Sequence, residues 1–121
     1  MQNLDQIRAA HALSAASGTD KGSVAKLPGM ILTNGLLATL AFACEDKDPR
    51  KGMKAAADSL AQHLSHPAYA LAELATCKTG AALGSKLAGD SLTLQRATTE
   101  SLAYFSYLKR FATKKADRAA T

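Results

Sequence analysis

From Leu92 to Lys115 the sequence reads LTLQRATTESLAYFSYLKRFATKK, without a glycine or a proline. Leu94, Ala97, Ser101, Tyr104, Phe105, Leu108, Phe111 and Ala112 recur at i, i+3, i+4 and i+7, so they share one face of an α-helix. Four of the six Phe and Tyr residues of the chain sit on this stretch. Gly89 ends whatever comes before it. Asp90, or Ser91 beside it, can cap the helix by accepting a bond from a free backbone N–H of the first turn.

The opposite face carries Arg96, Thr99, Ala103, Ser106, Arg110 and Lys114, a mixture of small and basic side chains. Lys109, Lys115 and Arg118 add charge near the C-terminal end. One reading is local: cations complement the helix dipole there, at about 0.3–1 kcal/mol each. The other is a polyanion contact, in which short side chains admit a backbone and Arg and Lys neutralise it.

Val occurs once and Ile twice among 121 residues, so strand formers are nearly missing. Leu and Ala dominate the apolar residues, which suits closely packed helices. The expected fold is all-α: a compact single-domain bundle of about five to six helices over residues 1–121, with a long C-terminal helix and a frayed tail from 116 to 121. The formal net charge is +5 and is uneven. Residues 1–45 balance three basic against three acidic groups, residues 46–89 hold six against four, and residues 90–121 hold six against three. The positive field favours a nucleic acid or another acidic partner. Cys44 and Cys77 lie in apolar helical contexts and read as free thiols. MQNLDQIRAA has no apolar core of a signal peptide, and no run is long enough to span a bilayer. The expected location is the cytoplasm, with no membrane partner.

Along the chain, Asn3 to Ala16 reads as a first helix with an Asn3–Gln6 capping box, and with Leu4, Ile7, Ala10 or His11, and Ser14 on its buried face. Gly18 ends it. Thr19 or Asp20 caps a second helix with the stripe Val24, Leu27, Ile31, which Pro28 should kink or restart. Asn34-Gly35 breaks the chain before a short helix over Leu36–Cys44. Asp46–Gly52 is a charged turn. Lys51–Leu64 forms a fourth helix with Met53, Ala56 or Ala57, Leu60, Ala61 and Leu64 inward. Ser65 or His66 is expected to cap a fifth helix from Pro67, using Leu71, Leu74, Ala75 and Lys78. Ala81–Ala88 is a further short helix or a connector.

The stretch Lys26–Ala43, KLPGMILTNGLLATLAFA, resembles a signature of the small subunit of type III-B CRISPR effector complexes, the Cmr module. Lys26, Leu27, Pro28, Ile31, Asn34, Gly35, Leu36, Thr39, Leu40, Ala41 and Phe42 match it in order. Arg96, Ala97, Thr98 and Glu100, then Leu108, Lys109, Arg110, Phe111 and Ala112, look like the second signature of that family, and Leu4–Ala9 looks like its first helix. Residues 46–90 carry no match, and Tyr107 stands where the family often has Trp. The resemblance implies a non-catalytic subunit of a guide-RNA-directed effector in prokaryotic antiviral defence. Its partners would be the backbone and large subunits, the guide RNA and target RNA backbone, and neighbouring copies stacked in a row. Cleavage and signalling chemistry would belong to the larger subunits.

The residues themselves offer no active site. The carboxylates sit singly at caps and loops, and Ser14, Ser59 and Ser101 lie in helices without a nucleophile elbow. His11 reads as a surface residue. His63 and His66 have a metal-like spacing but no completing ligand nearby, so neither a metal nor a cofactor is expected. Charge alone nominates Lys21, Lys26, Arg50, Lys54, Arg96, Lys109, Arg110 and Lys114 for RNA contact. Phe42 and Tyr107, off the main stripes, are candidates for row-forming contacts. Two other classes fit the same composition. One is a basic DNA-binding or architectural helical protein unrelated to CRISPR, and the other is a helical adaptor without nucleic-acid binding.

Overall fold

A computed structural model describes residues 3–45, 51–67 and 72–112. Among these described residues six α-helices follow one another: α1 (Leu4–Ala15), α2 (Lys21–Asn34), α3 (Leu36–Ala43), α4 (Lys51–Ser65), α5 (Gly80–Leu87) and α6 (Ser91–Phe111). There is no strand among the described residues. The expected frayed tail, Arg50 and Lys114 lie outside them.

Local chemistry sets most boundaries. Asn3 Oδ1 accepts from the Gln6 N–H and Gln6 Oε1 accepts from the Asn3 N–H, both at 2.9 Å, closing the capping box of α1. Asp20 caps α2 by accepting from the Ser23 N–H at 3.1 Å, and Asp90 caps α6 by accepting from the Thr93 N–H at 3.0 Å. Gly35 serves two helices at once. Its N–H closes α2 on Ile31 O at 2.8 Å, and its carbonyl accepts the Thr39 N–H of α3. Its φ of +89° suits glycine and strains other residues.

Pro28 neither stops nor restarts α2, which runs unbroken from Lys21 to Asn34. An internal proline costs about 3 kcal/mol. Val24, Leu27 and Ile31 are all buried around it, and each contributes about 1.5–3 kcal/mol, so packing outweighs the lost bond. α1 keeps only part of the expected face, Ile7 and His11. Leu4, Ala10, Leu13 and Ser14 are exposed, while Ala12 is buried and Ile7, Arg8, His11 and Ala15 turn partly inward. The helix is rotated toward a polar partner, described below. The helix expected from Pro67 is also corrected. In the described part the chain makes only a 3₁₀ turn, Ala72–Leu74, with Leu74 buried and Ala75 and Lys78 exposed. Ser65 ends α4 and donates to Gln62 O at 3.2 Å, while residues 68–71, where the first turn of that helix was expected, lie outside the described residues.

α4 packs against each of the other five helices. Its inward side is Met53, Ala56, Ala57, Leu60, Ala61 and Leu64, all buried as the spacing predicts. The small residues among them let neighbouring axes approach. Behind α6, Tyr104, Phe105 and Leu108 are fully enclosed, and α1 and α2 flank them. α6 ends at Phe111, which is 38 % exposed rather than buried. Among the described residues, no helix is long and apolar enough to cross a membrane. Cys44 and Cys77 are free thiols, as expected.

Gly80 is a site of close approach between helices. A Cβ there would stand 2.8 Å from Cys44 Sγ and 2.9 Å from the Ala57 Cβ, while the Gly80 N–H donates to Asp58 Oδ1 at 2.8 Å. Gly80→Ala should therefore destabilise the fold by about 1–3 kcal/mol, read from the midpoint of urea unfolding, despite alanine's higher helix propensity.

Candidate nucleic-acid interface

Three of the nominated cations meet. Lys21 begins α2, and Lys109 and Arg110 lie in the last turn of α6. Together with Ser106 they line a surface cleft of about 330 Å³. The sequence separates Lys21 from Lys109 by most of the chain; the antiparallel run of α2 along α6 unites them. The same antiparallel run brings Asn34, Gly35 and Leu36 beside Leu94 and Thr98 at the other end. Lys109 and Arg110 are exposed and Lys21 is half-buried. Ser106 is short and adds a hydroxyl whose oxygen donates to Ala103 O at 3.0 Å.

The other nominees stand apart from this cleft. Lys26 on α2, Lys54 on α4 and Arg96 on α6 are each exposed. Arg96 lies about 20 Å from Lys109 along α6, at 1.5 Å per residue. Phe42 and Tyr107, expected as free surface contacts, are partly buried and packed on the core. The large apolar side chains that do reach solvent include Leu13, Leu32 and Leu92.

A polar cluster that sequence reading did not find lies on the other side of α6. Glu100 is 3 % exposed. Its Oε1 accepts from Arg8 Nη2 at 2.7 Å, and its Oε2 accepts from Arg8 Nε at 2.7 Å, a bidentate pair. Oε2 also lies 2.8 Å from His63 Nε2. An ionised carboxylate only accepts, so His63 Nε2 carries the proton. Burial opposes ionisation of Glu100, but the bonds from Arg8 and His63 outweigh it and hold its pKa below the usual carboxylate value. The bond to Glu100 raises the Arg8 pKa further. His63 stacks on Tyr104, with ring centroids 4.5 Å apart, and Tyr104 Oη shares a hydrogen bond with Ser59 Oγ. The three histidines of the chain converge here: His11 Nδ1 is 2.7 Å from His63 Nδ1, and the His11 and His66 rings are 4.6 Å apart. They border a cleft of about 210 Å³ with Ser59 and Tyr104. No three His, Cys, Asp or Glu side chains among the described residues are placed to hold a metal ion.

This cluster explains the rotation of α1. Arg8 and His11 face inward because Glu100 and His63 are there to receive them. The only sequence cue was Glu100 itself, an acid three residues from Ala97 and four from Tyr104 on the apolar stripe. Glu100→Ala should cost about 3–5 kcal/mol, because Arg8 and His63 then lose a buried counter-charge. The pH dependence follows from the direction of the shift. The stability that Glu100 supplies is complete above the ordinary glutamate pKa of about 4.3 and is lost as the pH falls through its lower folded value. Thermal unfolding of the wild type from pH 6 to 3 checks this, with Glu100→Gln expected to flatten the acid limb.

A family model described as CRISPR-associated protein (Cas_Cmr5) matches residues 4–114. The match spans every helix described, from the first residue of α1 to beyond the end of α6. No curated protein matches the chain, and no solved structure does. The two segments that suggested this group by resemblance are now located. Lys26–Ala43 covers the end of α2, the Gly35 corner and α3, while Arg96–Ala112 covers most of α6. With the family model covering nearly the whole chain, the protein belongs to the Cas_Cmr5 family and is a small Cmr-type CRISPR-associated subunit of type III-B.

Proposed function

We propose that this subunit is a non-catalytic part of the type III-B effector that contacts the guide and target RNA path through the cleft of Lys21, Ser106, Lys109 and Arg110. The observation that carries the reading is the meeting of three cations from opposite ends of the chain around one short hydroxyl side chain. Phosphate contact along a duplex needs fixed positive charge and no base readout. Rigid helix ends supply that, and the C-terminal end of α6 also favours cations electrostatically. Lys26, Lys54 and Arg96 would extend the contact as separate, exposed charges. Few aromatic side chains are available for stacking on bases.

The polar cluster on α6 supports a structural role rather than catalysis. Both ring nitrogens of His63 are already engaged, by Glu100 and His11. Ser59 bonds Tyr104 rather than an imidazole, so in this cluster no nucleophile sits beside a base. In this reading the chain works in the cytoplasm and associates with the other Cmr subunits. We assign neighbouring copies to the apolar clefts that share Leu37: one with Leu36 and Leu94, the other with Leu40 and Ala81. A head-to-tail contact of this kind generates a row.

The test is charge reversal in the assembled complex. Lys21→Glu combined with Arg110→Glu should weaken RNA binding and lower the salt slope of log K by roughly 1–2, with helical circular dichroism unchanged. Unchanged RNA affinity with an intact fold would remove the cleft from the RNA path. Equal loss for duplex DNA and RNA in the isolated chain would favour a general nucleic-acid binder.

A further inference from the structure

We propose, on the reading of the basic cleft as part of the RNA path, that Ser106 makes this cleft selective for RNA over DNA by accepting a hydrogen bond from a ribose 2′-hydroxyl. Of the four described residues that line the cleft, Lys21, Lys109 and Arg110 are cations. Ammonium and guanidinium groups donate and never accept. Ser106 is the one residue of the four whose side chain can accept. Its own proton is already placed, because Ser106 Oγ donates to Ala103 O at 3.0 Å, within α6. The side chain is exposed, so the oxygen turns its remaining lone-pair density toward whatever enters the cleft.

A nucleic-acid backbone offers one group that can use such an acceptor. Phosphate oxygens only accept, so they pair with the three cations and have no proton to give to Ser106. The sugar of DNA carries no hydroxyl at C2′, whereas the ribose 2′-OH both donates and accepts. The spacing suits one sugar and the phosphate next to it. Ser106 stands three and four residues before Lys109 and Arg110, which puts the Cβ atoms about 5–6 Å apart on one side of the helix. The long cationic side chains can reach a phosphate while the short hydroxyl meets the neighbouring ribose. Ala103, one turn earlier on the same face, is small and leaves the approach open. The hydroxyl does little for the helix itself, since alanine is the better helix former at an exposed position.

The effector reconstituted with this chain allows one protein change to be crossed with one nucleic-acid change. Guide and a short target are supplied either as RNA or with 2′-fluoro sugars, which keep the A-form duplex and lack the 2′ proton. Ser106→Ala should weaken binding of the ribose target by roughly two- to tenfold, the range of one neutral hydrogen bond, and leave binding of the 2′-fluoro target unchanged. Equal weakening of both targets would show Ser106 donating to phosphate instead, and no change in either would show that it touches neither; each result overturns the proposal. Lys21→Glu combined with Arg110→Glu separates this contact from the cleft as a whole. If that variant loses both targets while Ser106→Ala does not discriminate, the cleft stays on the RNA path and the 2′-hydroxyl contact alone is removed. If it retains both, the RNA-path reading fails with it.

Discussion

A buried carboxylate with two cationic or proton-bearing partners ties this bundle together. Glu100 belongs to α6, Arg8 to α1 and His63 to α4, so one side chain fixes three helices in rotation and register. Apolar packing alone is permissive, because an alanine- and leucine-rich face can slide by a turn at modest cost. A bidentate Arg pair cannot. It demands one geometry, and leaving Glu100 unpaired in the interior costs several kcal/mol. That constraint turns α1 onto its polar side and leaves Leu4 and Leu13 in water. It also brings the three histidines to one place.

Close packing provides the complementary device. α4 reaches all five other helices because Ala56, Ala57 and Ala61 keep its surface thin. Gly80 lets α5 begin almost on top of Ala57 and Cys44. At the α2–α3 corner, the single residue Gly35 joins the two helices. The Asn-Gly-Leu of the family-like segment is thus a geometric requirement. Gly35 closes one helix and opens the next, and Leu36 is buried directly after it.

What could be read from the sequence was what depends on local spacing. The helical class, the caps at Asn3, Asp20 and Asp90, the Gly35 corner, and the buried faces of α4 and α6 all follow from patterns within a few residues. What could not be read depends on distant partners. The sequence leaves open whether α2 passes through Pro28 or restarts there, because periodicity does not weigh the energy of the three buried neighbours that hold the helix together. The face of α1 was read only in part, because Arg8 counts as a surface residue until Glu100 is known to face it. His11 is engaged rather than free for the same reason. The segment after Pro67 resembled a helix on apolar spacing, yet its described part forms a single 3₁₀ turn. At the candidate interface, net charge nominated the cations, but only the antiparallel packing of α2 and α6 picks out Lys21, Lys109 and Arg110 from the rest.

In the proposed reading, two parts of α6 divide the work of the subunit. One side holds a satisfied polar cluster that sets the helix orientations. The other end presents exposed Lys109 and Arg110 beside Lys21. Ultraviolet cross-linking of RNA to the assembled effector, purified through this chain at low salt and mapped by mass spectrometry, tests that division most directly. The account predicts cross-linked peptides at the start of α2 and the end of α6, and none from the α1–α4 side around His11. Cross-links confined to the histidine side, or an assembled effector in which this chain gives none, would contradict it.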